Sequence, residues 1–463
     1  MSTGNPQRVL VLGGTGFVGR ELGQQLAMQG HKVVLVARHP DRVRGILPFP
    51  CELHAWADVN QPIPPAALAG CDAVVNLIGE GIADKPWTKA RRQQLLQSRA
   101  ASVAALSAAL RQMPGQRPKV IIQASAIGYF GDRGDEVLTE ASQAGKGFLP
   151  DVCLAWEAHD LPEVVERVVT LRFGLVLGLT GGALPKLLGI YAKGLGAVLG
   201  NGRQWVSWIH IDDLVAMIMT AVTDRRWQGH FNGTAPEPCP FKDFNAALAE
   251  HGRYSANKTV PAPVLRLAMG GRAALVLDST RVLPAAAERL GFKFKFQTIG
   301  AAFAHLLGDA VGSGMRRLVT RQWVPQPPVE IWPFFTEAKN LTRLTPDWLG
   351  FKVKGMSTAN IGEGTRINYT ISLRGVPMRW QSLIKNWQPG TLFVDEQIRG
   401  PYNVWHHSHG FEALAGGTLM TDDVQYRLPL KSLGELTAGL FVERDVARIF
   451  AFRRQAIADM WSP

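Results

Sequence analysis

Short apolar runs, glycine turns and helically spaced apolar positions alternate through the first half of this chain. Arg8-Val9-Leu10-Val11-Leu12 is a continuous apolar run, as a strand buried on both faces requires. Phe17 to Gln29 carries helical spacing, and Gly30 stands where a C-terminal cap belongs. Lys32–Ala37, Ala73–Ile78, Lys119–Ala124 and Val168–Phe173 read as further strands, with a helix over about Lys89–Arg111. Such alternation predicts right-handed crossovers and a doubly wound parallel α/β sheet. After Ile209, helices over Asp212–Thr223, Phe241–His251, Pro261–Leu277 and Leu283–Leu290 predict a small substrate-side lobe. Gly308–Gly314 reads as a linker. Beyond it the rhythm is β, from Leu318–Val324 through Gly417–Leu428, closed by a long helix over Leu440–Met460. The pattern there predicts an α+β domain, an antiparallel sheet wrapped around that helix.

A length of 463 residues fits two domains, expected at 1–309 and 315–463. The 46% hydrophobic and 19% charged shares exclude disorder as the main state. No apolar stretch reaches the roughly 20 residues of a membrane helix. The best candidate, Ala183–Gly200, is cut by Pro185, Lys186 and Lys193. The stretch Met1–Arg8 lacks the apolar core of a signal peptide. Cys51, Cys71, Cys153 and Cys239 are dispersed, which predicts neither a disulfide scaffold nor a zinc ribbon. These features together predict a cytoplasmic protein. The net charge of +12 has no basic tail or stripe behind it, so it fits anionic small ligands and not nucleic acid.

The chemistry begins in Gly13-Gly14-Thr15-Gly16-Phe17-Val18-Gly19, a GxxGxxG pattern between a strand and a helix. Gly13 permits the turn, Gly16 lets backbone approach a pyrophosphate, and Gly19 lets the helix pack closely. The N–H groups opening the helix, with its dipole, suit phosphates. Asp58-Val59 follows the third strand, where an acid accepts from an adenine amino group; Asn76 and Gly79 lie at the end of the fourth. Ordinary turn chemistry is the alternative for Asp58 and Asn76. Arg38, after the second strand, replaces the acid that would bind a ribose 2′-OH, and predicts NADP in preference to NAD. A solvated surface charge is the other reading of Arg38.

Gly13–Gly19, Asn76–Gly79 and Ser125-Ala126-Ile127-Gly128-Tyr129-Phe130-Gly131 resemble the extended and atypical short-chain dehydrogenase/reductases, the NAD-dependent epimerase/dehydratase group. Trp87–Arg99, Gly128–Asp132, Leu171–Gly178 and Gly200–Asp213 resemble, more narrowly, its YfcH-like, sugar-nucleotide-epimerase-like branch. The segment around 255–303 resembles that branch's C-terminal extension. The resemblance covers about residues 8–307 and implies a Rossmann-type sheet, an NAD(P) cofactor and oxidoreductase or epimerase chemistry. Ser125 matches the family serine, but the YxxxK pair is missing, and Cys153 and Glu157 hold that spacing. Tyr129 is then the substitute acid, or lines the nicotinamide pocket. Glu157 is a base if neighbours such as Trp156 raise its pKa, or else caps or pairs. Arg203 lies where extended members bring a cation to a substrate phosphate. Asp212 is expected to cap the next helix, and Lys85, Arg99 and Lys193 to be surface charges.

Residues 315–463 resemble, on element order, the START/polyketide-cyclase-like superfamily, which implies a cavity for an apolar ligand. On a strand His407 and His409 share a face and His406 points away. No carboxylate or cysteine is spaced in the sequence to complete a metal site with them, so a structural role is expected. The reading that results is an NADP-binding oxidoreductase or epimerase-like protein acting on a small molecule. The alternatives are a non-catalytic NADP-binding sensor and a ligand carrier.

Overall fold

A computed structural model describes residues 5–113, 115, 117–373, 375–428 and 439–461. Met1–Gly4, part of the stretch read for a signal peptide, lie outside the described residues. The chain divides into two compact units. The first comprises Met1–Pro40, Cys51–Leu184 and Leu195–Gly308; the second comprises Asp309–Pro463 with Asp41–Pro50 and Pro185–Gly194. The break at Gly308 falls in the glycine-rich stretch. Nothing in the sequence pattern marks the two short segments.

In the first unit, β1 (Arg8–Leu12), β2 (Lys32–Ala37), β3 (Glu52–Ala55), β4 (Ala73–Asn76), β5 (Val120–Ala126), β6 (Arg167–Phe173) and β7 (Gly229–Gly233) form one sheet. All its pairings are parallel, in the order β7-β6-β5-β4-β1-β2-β3. This is a Rossmann-type, doubly wound sheet. The winding reverses between β1 and β4, which opens a crevice at the carboxyl ends of those strands. Helices α1 (Phe17–Met28), α2 (Lys89–Arg111), α3 (Phe148–Glu157) and α4 (Ile211–Thr223) accompany the sheet. Leu10, Val34, Val74 and Ile121 of the strands share one core with Leu106 and Leu110 of α2. Strands buried on both faces account for the unbroken apolar runs.

One polar residue in this core has a structural task. Arg167 opens β6 and is 9% exposed. Its Nη1 donates to the Ala221 (2.6 Å) and Trp227 (2.8 Å) carbonyls, and its Nη2 to that of Val222 (3.1 Å). Two of those carbonyls belong to the last turn of α4, which has no basic residue of its own there. A helix end leaves such carbonyls without partners, and a cation also suits its dipole.

In the second unit, β8 (Arg316–Val324), β9 (Lys352–Met356), β10 (Arg366–Leu373), β11 (Val376–Gln388), β12 (Leu392–Arg399), β13 (Val404–Leu414) and β14 (Gly417–Arg427) form an antiparallel sheet. Its order is β8-β14-β13-β12-β11-β10-β9. The closing helix α5 (Gly439–Trp461) buries Val446, Phe450 and Ile457 in one core with Ile384, Phe393 and Val424 of the sheet. A sheet gripping a long helix is what the sequence pattern predicts.

Replacing Arg167 with Met keeps most of the apolar stem and removes the donors. Stranding buried carbonyls this way is expected to cost about 2–4 kcal/mol. Urea unfolding of the variant should show a lower midpoint for the first unit; an unchanged midpoint would contradict this role.

Candidate functional site

The two loops of the crevice lie side by side. Gly13 follows β1 with φ +78°, and a Cβ there would come 3.0 Å from the Leu77 carbonyl carbon, in the loop after β4. Gly19 sits in α1 against the loop that precedes it, and a Cβ there would come 2.5 Å from the Gly13 oxygen and the Gly14 Cα. Larger residues would push α1 off the loop. Gly16, the N-cap of α1, gives no side-chain cap, and the first turn holds no acid. Thr15 and Gly16 are exposed, with Phe17 and Val18 half-buried beside them. A helix N-terminus with bare N–H groups and no local anion fits a pyrophosphate.

Beside this crevice, β5 and β6 place Ser125 and Arg172 opposite each other in the sheet register. Glu157, the last residue of α3, reaches both. Arg172 Nε donates to Glu157 Oε1 (2.9 Å) and Nη2 to Oε2 (2.7 Å). The Ser125 hydroxyl donates to Oε1 at 2.6 Å, and His230 Nε2 lies 3.4 Å from Oε2. The pair is buried, with 4% and 8% side-chain exposure. The Arg172 guanidinium carbon also lies 3.5 Å from the centre of the Tyr129 ring, in the 3-10 turn Ile127–Phe130 after β5.

This geometry corrects the expectation for Glu157. Burial alone would raise its carboxyl. The hydrogen bonds of Arg172 and His230, the Arg172 charge and the Ser125 hydroxyl outweigh that and hold it at about 2. Its carboxylate is paired with Arg172, the second of the two readings. Cys153, one turn earlier on α3, is pushed up to about 12 by burial and then by the Glu157 charge. Its Sγ donates to the Ala126 carbonyl at 3.4 Å. Neither residue at the YxxxK positions reproduces a tyrosine–lysine pair.

The remaining residues divide by exposure. Arg38 is exposed just past the end of β2. Asp58 is exposed beyond β3 and closes an Asx turn, accepting from Asn60 N (2.9 Å) and Nδ2 (2.8 Å); Val59 is half-buried. Asn76 is fully buried and its side chain is used inside the fold. Its Nδ2 donates to Gln123 Oε1 (3.0 Å) and its Oδ1 accepts from Ile78 N (3.2 Å), which shapes the loop that carries Gly79.

Behind Gly79 stands Arg99, 7% exposed and so not the surface charge expected. A Cβ on Gly79 would come 3.3 Å from its guanidinium carbon. Arg99 donates to the Leu95 and Glu80 carbonyls and lies 4.7 Å from the Trp156 ring. Arg203 is exposed in a turn, its backbone N donating to Asn201 Oδ1. The helix expected to be capped by Asp212 is capped by His210, whose Nδ1 accepts from Asp212 N at 3.0 Å. Arg172 was legible as a cation inside an apolar strand, Val168-Val169-Thr170-Leu171-Arg172-Phe173, where only a buried partner makes a charge tolerable.

A sheet with this reversal, this glycine loop and a serine at the end of its fifth strand defines a nicotinamide-dinucleotide-binding class. Residues 9–232 match the NAD dependent epimerase/dehydratase family, and residues 260–306 match a domain of unknown function, DUF1731. The chloroplastic SDR39U1 homolog of Arabidopsis thaliana is 34% identical over 308 residues, 65% of this chain and 86% of that protein. The epimerase family protein Mb2239 of Mycobacterium bovis is 35% identical over 301 residues, 64% of this chain and 96% of that protein. The structure of human epimerase family protein SDR39U1 with NADPH covers 65% of this chain and 99% of its own, with 31% identity and a TM-score of 0.59. This chain belongs to the NAD dependent epimerase/dehydratase family. Among the described residues, no helix is long and apolar enough to cross a membrane.

The Glu157 shift has a consequence for stability. Its pKa is lowered on folding, from the ordinary 4.5 to about 2. The stabilisation is therefore present above the unfolded value and lost as pH falls through the folded one. The loss between those limits should be about 3 kcal/mol in the wild type. Glu157→Gln should lack that acid limb and be less stable at pH 7, by about 3–5 kcal/mol, because Arg172 stays buried without its anion. Denaturation midpoints of both proteins across pH 2–7 check this; parallel curves would contradict it.

Proposed function

We propose that the first unit is an NADP-dependent oxidoreductase or epimerase/dehydratase-like protein acting on a small molecule. Gly13, Thr15, Gly16 and Gly19, with the N–H groups of Phe17 and Val18, would hold the pyrophosphate. Arg38 would clamp the 2′-phosphate, Asp58 and Val59 would meet the adenine, and Gly79 would line the nicotinamide side. NADPH, when bound, supplies a hydride. Arg203 would meet an anionic group on the substrate.

The observation that carries the catalytic reading is the Tyr129 ring lying 3.5 Å under the Arg172 guanidinium. Tyr129 is the group left to give or take a proton, and a phenolate formed there would face that cation. Ser125 acts through Glu157: its proton is committed to that carboxylate, and it holds the pair that sets Arg172 over the ring. One observation favours the sensor reading. The Ser125, Cys153 and Glu157 side chains are all engaged in internal contacts, which leaves Tyr129 to act alone.

For the second unit we infer a START-like ligand-binding domain. The support is a cavity of about 140 Å³ bounded by Trp380, Phe393, Trp405 and Phe450, about the room one benzene ring needs. A cytoplasmic setting is the reading that the dispersed cysteines support, with Cys71, Cys153 and Cys239 as free thiols.

Arg38→Asp should weaken NADPH binding by about 10–100-fold, the worth of a charge-assisted contact, and leave NADH within a few-fold. Equal losses, or tighter wild-type binding of NADH, would overturn the NADP assignment. Tyr129→Phe should lower NADPH oxidation across a carbonyl panel by at least about 100-fold with cofactor affinity unchanged. A wild type that binds NADPH and oxidises it with no carbonyl would support the sensor instead.

A further inference from the structure

The cavity of the second unit has an apolar wall and a polar floor, and neighbouring strands supply the floor and its backing. Asp395 on β12 stands directly opposite His407 on β13, and Asp422 on β14 directly opposite His409 on β13. His407, His409 and Asp422 are each 5–6% exposed. Asp395, His407 and His409 all face the cavity. The expectation that no carboxylate completes a site with these histidines is corrected by the sheet register. The carboxylates come from neighbouring strands, 12 residues before His407 and 13 residues after His409 in the sequence, where no local spacing rule would find them.

We propose that Asp395, His407 and His409 bind one divalent transition-metal ion of the zinc–iron class. Each offers a donor atom, and the three atoms lie within 4.8 Å of one another. Two imidazoles on alternate positions of one strand with one carboxylate from the next form a nitrogen–oxygen ligand set that suits these metals and leaves further positions open. This assignment does not depend on the START-like reading.

One further feature supports it independently. Among the described residues, Asp395 Oδ1 is buried and has no hydrogen-bond partner.

The second carboxylate has the supporting role that metal-bound imidazoles require. Asp422 Oδ1 lies 3.0 Å from His407 Nε2 and 3.3 Å from His409 Nδ1. Its Oδ2 accepts from Arg453 Nε at 3.2 Å. Asp422 can thus accept one N–H from each ring and leave each its other nitrogen as a donor. Arg453 is hydrogen-bonded to Asp422 and offsets its charge. Arg453 Nη2 also lies 3.2 Å from His409 Nδ1, so a metal ion would switch His409 from accepting that bond to donating to Asp422.

The test uses the full chain, stripped with a chelator and titrated with Co²⁺ and then with Zn²⁺. A second cluster, His210, Asp212 and His305 in the first unit, serves as the internal control. One equivalent of Co²⁺ should bind with visible d–d bands that Zn²⁺ abolishes. Asp395→Asn should weaken that binding by more than about 100-fold, beyond the 10–100-fold typical of an outer-shell change, and His305→Ala should leave it unchanged. X-ray absorption on the wild type, which needs no variant to fold, should show two imidazoles in the Co²⁺ shell. No saturable binding, binding indifferent to Asp395→Asn, or binding lost only in His305→Ala would each overturn the proposal.

Discussion

The first unit turns on a buried ion pair. Arg172 and Glu157 join β6 to the end of α3 through two charge-assisted hydrogen bonds. Removing either partner would leave a charge stranded in the interior. Ser125 and His230 add to the Glu157 side, and Tyr129 lies under the Arg172 side. The pair therefore fixes both the geometry and the charge around Ser125 and Tyr129. Because Glu157 neutralises Arg172, the cation over Tyr129 is weaker than a free lysine would be.

The cofactor crevice follows from simpler constraints. Gly19 must lack a side chain for α1 to meet its loop, and Gly13 must adopt a positive φ beside the β4 loop. Asn76 braces that second loop from inside the sheet. Arg99 closes it from behind, resting on Trp156 of the helix that also carries Glu157. Dinucleotide loop and ion pair are thus linked through α3.

Local pattern carried the fold. Apolar runs marked β1, β2 and β5 because both faces of the sheet are covered, and runs divided by Gly/Pro turns marked β8 to β14. The helix expected over Lys89–Arg111 has those bounds in the structure. The glycine loop was legible for the same reason, since its chemistry lies in contiguous residues. What sequence could not supply was pairing across the fold. Glu157 looked like a residue beside Trp156, and only the tertiary contact between the end of α3 and β6 brings Arg172 to it. Asp212 had the composition of a cap, yet the helix is capped by His210, which accepts from the Asp212 backbone N–H. His407 and His409 shared a strand face as alternation requires, but their carboxylates arrive from β12 and β14.

The central claim is that Glu157 is a permanent anion holding Arg172 over Tyr129, not a proton-transfer base. Carbon-13 NMR of chain labelled at glutamate carboxyls, with the Glu157 resonance assigned by its loss in Glu157→Gln, reads its protonation directly. The account predicts a carboxylate shift that stays flat from neutral pH down to about 3 and begins to move only as the pH approaches 2. A resonance that titrates near neutrality, in the range of a general base, would contradict it.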